Sequence, residues 1–162
     1  MFRSSKHNPN IYNTLLLFSR NIFFYKDLKL KDTFETRIYL IFFHYSIILF
    51  ILKKRGNKPD QKNYDSLFFY IENNLRQLGF GDVSVNKKMK DLNKIFYDIL
   101  IKLSLKNNEF NINEKLLITY FQKLGINNGK QSKLTLYFTK FYNFCFDLSS
   151  KNMIEDLKNF KY

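Results

Sequence analysis

The stretch from Tyr64 to Leu103, YDSLFFYIENNLRQLGFGDVSVNKKMKDLNKIFYDILIKL, decides the fold class. Tyr64, Leu67, Phe68, Ile71, Leu75 and Leu78 recur at helical spacing, so they line one side of a helix with Asp65, Asn73 and Arg76 turned away. Val85, Met89, Leu92, Phe96, Ile99 and Leu103 repeat the pattern. Only Gly79 to Val83 separates the two stripes, and Gly79 falls where a helix C-terminus favours a left-handed backbone. Asp82 or Ser84 is the expected N-cap of the second helix. Two amphipathic helices joined by so short a turn pack as neighbours, which predicts an all-α protein.

Outward from this hairpin the same period continues. Ile11, Leu15, Phe18, Ile22 and Tyr25 describe a first helix from about 11 to 25. Ile38 to Leu52 is the longest apolar run, bounded by Arg37 and by Lys53, Lys54 and Arg55. Its 15 positions reach roughly 22 Å as a helix, short of the ~30 Å hydrocarbon core of a bilayer. It also contains His44, Tyr45 and Ser46. A buried central helix is the expectation, with an interfacial helix as the alternative. Arg55 to Asp60 and Gly125 to Gly129 are loops by their Gly, Asn and Pro content. Asn111 or Asn113 caps a helix running to Leu124, and Leu134, Phe138, Phe141, Cys145 and Leu148 mark another, before a short one from Met153 to Phe160. No alternating strand and no internal repeat stand out. The expected architecture is one domain of six or seven helices over residues 11 to 162, preceded by an extension over 1 to 10.

The chain has 162 residues, among them 19 Phe, 11 Tyr, 15 Ile and 19 Asn, with neither Trp nor Ala. These residues share A/T-rich codons, so a GC-poor genome accounts for the skew. Twenty-seven Lys and Arg against 14 Asp and Glu give a net charge of +13. Residues 1 to 81 hold 13 basic and 6 acidic side chains, so the charge is distributed and forms no basic arm. One cysteine and two histidines exclude a disulfide framework and a Cys/His zinc cluster, and neither metal nor cofactor is expected. The N-terminus lacks the small-residue cleavage site of a secretory signal. Arg3, Ser4, Ser5, Lys6, Arg20 and Lys26, without an acid in residues 1 to 26, resemble a transit peptide in composition.

Chemical motifs are few. Gly79-Phe80-Gly81-Asp82-Val83-Ser84 begins like a dinucleotide fingerprint but ends in Ser and follows a helix where the fingerprint needs a strand. Gly129-Lys130-Gln131-Ser132 fails the phosphate-loop pattern, because Gln131 separates Lys from hydroxyl and Gly125 is one residue too close. His44 is a candidate general base or haem ligand, against a buried histidine bonded to a neighbouring side chain. Nothing nucleophilic lies at helical spacing from it, which favours the second. Cys145 sits on an apolar stripe as a small core residue. Lys87, Lys88, Lys90 and Lys94 with Phe96 and Tyr97 admit nucleic-acid binding, against a solvated helix face. No enzymatic constellation emerges.

One pattern is more specific. Asp32-Thr33-Phe34-Glu35-Thr36-Arg37, followed by His44, resembles the Asp-Thr-x-acidic-Gly-Arg then His of the ubiquinol-cytochrome c chaperone family. Gln61, Tyr64, Asp65 and Phe68 fall in register with that family's third helix. Leu75-Arg76-Gln77-Leu78-Gly79-Phe80-Gly81-Asp82 is similar to its Leu-Arg-Glu-Met-Gly-Val-Gly-Asp signature, and the register continues through Ser84-Val85, Lys87-Lys88 and Phe96-Tyr97. With Arg20 and Tyr25 the resemblance covers residues 12 to 103, and the tail from 104 to 162 is only loosely similar. Thr36, Glu72, Asn73, Gln77 and Asp98 depart from the family pattern.

The resemblance implies a non-enzymatic chaperone that holds newly made cytochrome b while ubiquinol-cytochrome c reductase, respiratory complex III, is assembled. It also implies a ribosome and a small partner protein as companions in mitochondrial members; separately, the basic flanks favour anionic lipid or ribosomal RNA nearby, so peripheral membrane contact is expected and specific DNA is not. A basic helical adaptor for an anionic membrane surface or nucleic acid is the alternative. Because family-like sequence begins near Tyr12, a cleavable transit peptide is not expected; a bacterial cytoplasmic location beside the inner membrane is the first expectation and the mitochondrial matrix the second. The motif residues carried over are Asp32, Thr33, Arg37, His44, Asp65, Arg76, Gly79, Gly81, Asp82, Lys87, Lys88, Phe96 and Tyr97. Arg37 and Arg76 are candidates for partner contact or for ion pairs with Asp32 and Asp82. The glycines of the 79 to 83 turn are expected to permit a close chain reversal.

Overall fold

Thr33 starts the helix around which the other elements are arranged. Its hydroxyl accepts from the Thr36 amide at 3.2 Å, and the buried Thr36 hydroxyl donates to the Lys31 carbonyl at 2.6 Å. Helix α2 (Phe34–Lys54) runs 21 residues from that cap, longer than its apolar run implied and, at about 1.5 Å per residue, long enough to cross a bilayer. In the computed structural model, which describes residues 10–106, 108–127 and 129–162, 78% of its most apolar window is buried inside the protein. It is therefore the central core helix. Of the expected extension over 1 to 10, only Asn10 lies within the described residues.

Among the described residues there are seven α-helices, α2 and six others arranged about it. Helix α1 (Ile11–Ser19), capped by Asn10, packs on α2 and on α3 (Gln61–Gln77). Helix α4 (Asp82–Lys102) packs on α2 and α3, completing the expected hairpin. A short antiparallel pair, β1 (Ser104–Lys106) with β2 (Glu109–Asn111), precedes α5 (Glu114–Phe121), whose N-cap is Asn113. Three-residue strands are too short for alternation to show in a sequence. Helix α6 (Lys130–Phe146) packs on α2 and α5, and α7 (Met153–Asp156) with a following 3-10 turn ends the chain. Arg55, the C-cap of α2, donates to the Leu148 carbonyl at 2.8 Å and to the Ser150 hydroxyl at 3.1 Å, fastening the segment after α6.

Three sequence expectations change. The single helix from 11 to 25 does not form: the Ser19 hydroxyl bonds back to the Leu16 carbonyl at 2.7 Å, Asn21 Oδ1 accepts from the Phe23 amide at 3.0 Å, and a π-helical turn (Phe23–Asp27) follows. The re-registered chain buries Phe24 and sends Ile22, expected in the core, into solvent. Neither Asp82 nor Ser84 caps α4; Gly81 occupies the N-cap without a side-chain bond, and Asp82 is the first helical residue. Leu78, expected on the buried stripe of α3, is exposed.

Gly125 closes the 3-10 turn after α5 at φ 107°, where a Cβ would lie 2.8 Å from the Lys29 carbonyl oxygen. The adjacent Lys31 amide donates to the Leu124 carbonyl at 2.8 Å. This seam sets the position of the loop that delivers Asp32 and Thr33 to α2.

Candidate functional site

Helix α3 ends at Leu78, and Gly79 turns the chain at φ 95°, a left-handed backbone that disfavours any side chain. Gly81 then has ordinary extended backbone (φ −75°, ψ 167°), and a Cβ on either glycine would meet nothing within 4 Å. The space beside both glycines is thus open. Leu78 and Phe80 on either side of Gly79 are 58% and 38% exposed.

Both line a cleft of about 520 Å³. Phe34 and Ile38 from the start of α2, Leu75 from α3, and Leu92 and Ile95 from α4 complete its apolar walls. Glu35, Lys88 and Asp91 stand at its rim. Lys88 Nζ lies 4.5 Å from the centre of the Phe80 ring, a cation–π contact that orients the ring. Glu35 accepts from the Tyr39 hydroxyl at 2.7 Å, and burial followed by that carboxylate raises the Tyr39 pKa. Apolar walls with a thin charged rim suit an apolar or amphipathic segment of another chain.

A second cleft, about 380 Å³, lies across the ridge made by Thr33, Phe34, Ile38 and Leu78, and is walled by Tyr12, Leu16, Arg20, Arg37 and Asn74. Arg37 Nη2 lies 2.6 Å from Asp32 Oδ1, while Arg37 Nε is buried without a hydrogen-bond partner. Arg76 bridges the turn, pairing with Asp82 on α4 and with Glu72 at 3.3 Å on α3. Both ion pairs expected from the sequence form. Both are at least partly exposed to solvent and add little stability; only the Arg76–Asp82 pair spans the turn.

Asp32, Thr33, Arg37 and Lys88 therefore line these two clefts, while Arg76, Gly79, Gly81 and Asp82 belong to the turn that carries Leu78 and Phe80. The other motif residues lie elsewhere. Asp65 accepts from Gln61 at 2.8 Å on the exposed side of α3. Phe96 is fully buried, Tyr97 meets the Tyr64 hydroxyl at 3.3 Å, and Lys87 faces solvent. His44 is a core residue: its Nδ1–H donates to the Leu40 carbonyl at 2.6 Å and its Nε2 accepts from the Tyr137 hydroxyl at 2.7 Å. That carbonyl can only accept, so the tautomer follows, and burial lowers the histidine pKa to about 4. Cys145 is buried too, and desolvation raises its thiol pKa. By spacing Leu78 and Leu92 belong to helix stripes, Phe80 stands only within the glycine motif and Ile95 carries no signal; the signal available for the cleft is two large apolar residues flanking a turn glycine.

The family model described as ubiquinol-cytochrome c chaperone matches residues 26–117, more than half of the chain. The chain belongs to the ubiquinol-cytochrome c chaperone family. Membership supports a chaperone role in the assembly of complex III. Every residue lining the apolar cleft of this chaperone falls within the matched span, whereas Tyr137, the partner of His44, falls outside it. No curated protein and no solved structure matches the chain.

Proposed function

We propose that the apolar cleft holds a hydrophobic segment of unassembled cytochrome b until its partner subunits take over. One observation carries the reading: Leu78 and Phe80, on the turn with the family-like signature, are exposed at the mouth of an apolar cleft in a protein that otherwise buries most of its large side chains. An exposed apolar surface of this kind shields a client helix by burying area at about 25 cal/mol per Å². A non-enzymatic role follows from holding without chemistry. A small partner protein and the ribosome fit the same task, and the protein would act where cytochrome b is made, at the cytoplasmic face of a bacterial inner membrane or in the mitochondrial matrix.

The test is a photo-crosslinker at Leu78 in the protein's own cells, followed by identification of the trapped chains. Cytochrome b is the expected product, and Leu78→Ser with Phe80→Ser is expected to abolish the crosslink and lower the amount of assembled complex III. A fully assembled complex in cells carrying the folded double variant would refute the cleft as the client site.

A further inference from the structure

The end of α1 and the break after it leave two aliphatic side chains in solvent: Leu17 is 66% and Ile22 is 69% exposed. Between them lies Arg20. Leu17 and Arg20 also line a cleft of about 400 Å³ that α1 forms with the end of the chain, where Phe18, Phe160 and Tyr162 give apolar surface and Lys158 and Lys161 give charge. Lys140 Nζ sits 5.2 Å over the Tyr162 ring. No Asp or Glu side chain lines this cleft; Asp27 is the acid whose charge reaches the Tyr162 hydroxyl. By contrast, the exposed side of α4 mixes its lysines with Asp91 and Asp98, and Asp98 is already paired with Lys102 at 2.7 Å.

We infer that the face at the end of α1 docks on an anionic phospholipid bilayer, with Leu17 and Ile22 in the acyl boundary and Arg20, Lys158 and Lys161 among the headgroups. Protruding aliphatic residues ringed by cations are the combination an anionic membrane surface rewards, whereas a nucleic acid has no use for the aliphatic pair. Arg20 lines both this cleft and the one walled by Arg37 and Asn74. Docking through Arg20 therefore brings the edge of the client region to the membrane, where an apolar client emerges.

The experiment is flotation of the purified protein with vesicles of phosphatidylcholine alone and of phosphatidylcholine with phosphatidylglycerol, with no client present. Binding is expected only to the anionic vesicles and is expected to weaken with salt. Each cation at such a surface contributes roughly five-fold, so Arg20, Lys158 and Lys161 all changed to Gln should weaken binding on the order of 100-fold. Lys87, Lys90 and Lys94 changed to Gln remove the same charge and should leave it within about three-fold. Leu17→Ser with Ile22→Ser should weaken binding at least ten-fold with an unchanged thermal midpoint, since both side chains are already in solvent. Equal losses from the two lysine and arginine sets would show adsorption by overall charge and overturn the assignment. So would a serine pair that binds like the parent, or displacement of the parent from vesicles by single-stranded RNA. Because no client is used, failure here leaves the cytochrome b reading to its own crosslinking test.

Discussion

The protein contains two glycine turns that look alike in sequence and differ in what surrounds them. At Gly125 the backbone is left-handed (φ 107°) and the missing side chain is replaced by the Lys29 carbonyl, 2.8 Å from where a Cβ would sit. At Gly79 the backbone is equally left-handed (φ 95°), yet the space beside it is empty, and at Gly81 neither conformation nor packing calls for glycine. The first turn is fixed by the interior, where α5 and α6 close over α2. The second is held by local backbone hydrogen bonds from Gly79 and Phe80 to Arg76 and Leu75, by the Arg76–Asp82 ion pair and by the Lys88–Phe80 contact, and it displays Leu78 and Phe80. A glycine-rich turn without a packing reason is a surface kept open.

Substitution at the two left-handed glycines separates angle from contact. Gly125→Ala is expected to cost about 3 kcal/mol, because a strained angle and a backbone collision add. Gly79→Ala carries the angle alone and should cost about 1 kcal/mol. Urea unfolding of both variants measures the difference, and equal losses would abolish the distinction between the turns.

The interior side also predicts acid sensitivity, centred on His44. His44 is neutral when folded, with its pKa lowered to about 4 chiefly by burial, against about 6.5 unfolded. Between these values the unfolded chain binds a proton that the folded chain refuses. Stability is then complete above about pH 6.5 and falls as the pH drops towards 4, by up to about 3 kcal/mol. His44→Leu should flatten that acid limb whatever it does to stability at neutral pH. Tyr137→Phe leaves Nε2 buried without a donor and should cost about 2 kcal/mol at pH 7.5. An acid limb identical in the parent and in His44→Leu would show that other groups govern it.

The helical hairpin, the central helix and the cap at Asn113 were legible because local chemistry specifies them: period, cap residue and glycine stop all lie within a few positions of one another. The family-like motif found the neighbourhood of the clefts for the same reason. What stayed hidden depends on contacts distant in sequence. Tyr137 lies 93 residues from His44, and nothing near Gly125 announces Lys29 as its neighbour. Ile22 kept perfect helical spacing and was still expelled, because Ser19 and Asn21 ended the helix with bonds that periodicity ignores. Leu78 shares the stripe of α3 but is its C-cap, at the mouth of two clefts, and is 58% exposed where period alone places it in the core.

The smallest expected effect bears most directly on what the open turn is for. Gly81 is the N-cap of α4 and has the backbone of a good one, yet it has no side chain to accept from the first turn. Gly81→Ser supplies that acceptor in empty space and should raise stability by about 0.5 kcal/mol. For a turn whose role ended with joining α3 to α4, the substitution would be a pure gain, and client crosslinking at Leu78 would be unchanged. A turn that presents its bare backbone beside Phe80 to a docked segment gains stability and loses capture together, because the new side chain stands on the surface the client must approach. Measuring the thermal midpoint and crosslinking yield on the same preparation distinguishes the two, and a rise in stability with undiminished capture would remove Gly81 from the docking surface while leaving Leu78 and Phe80 in it.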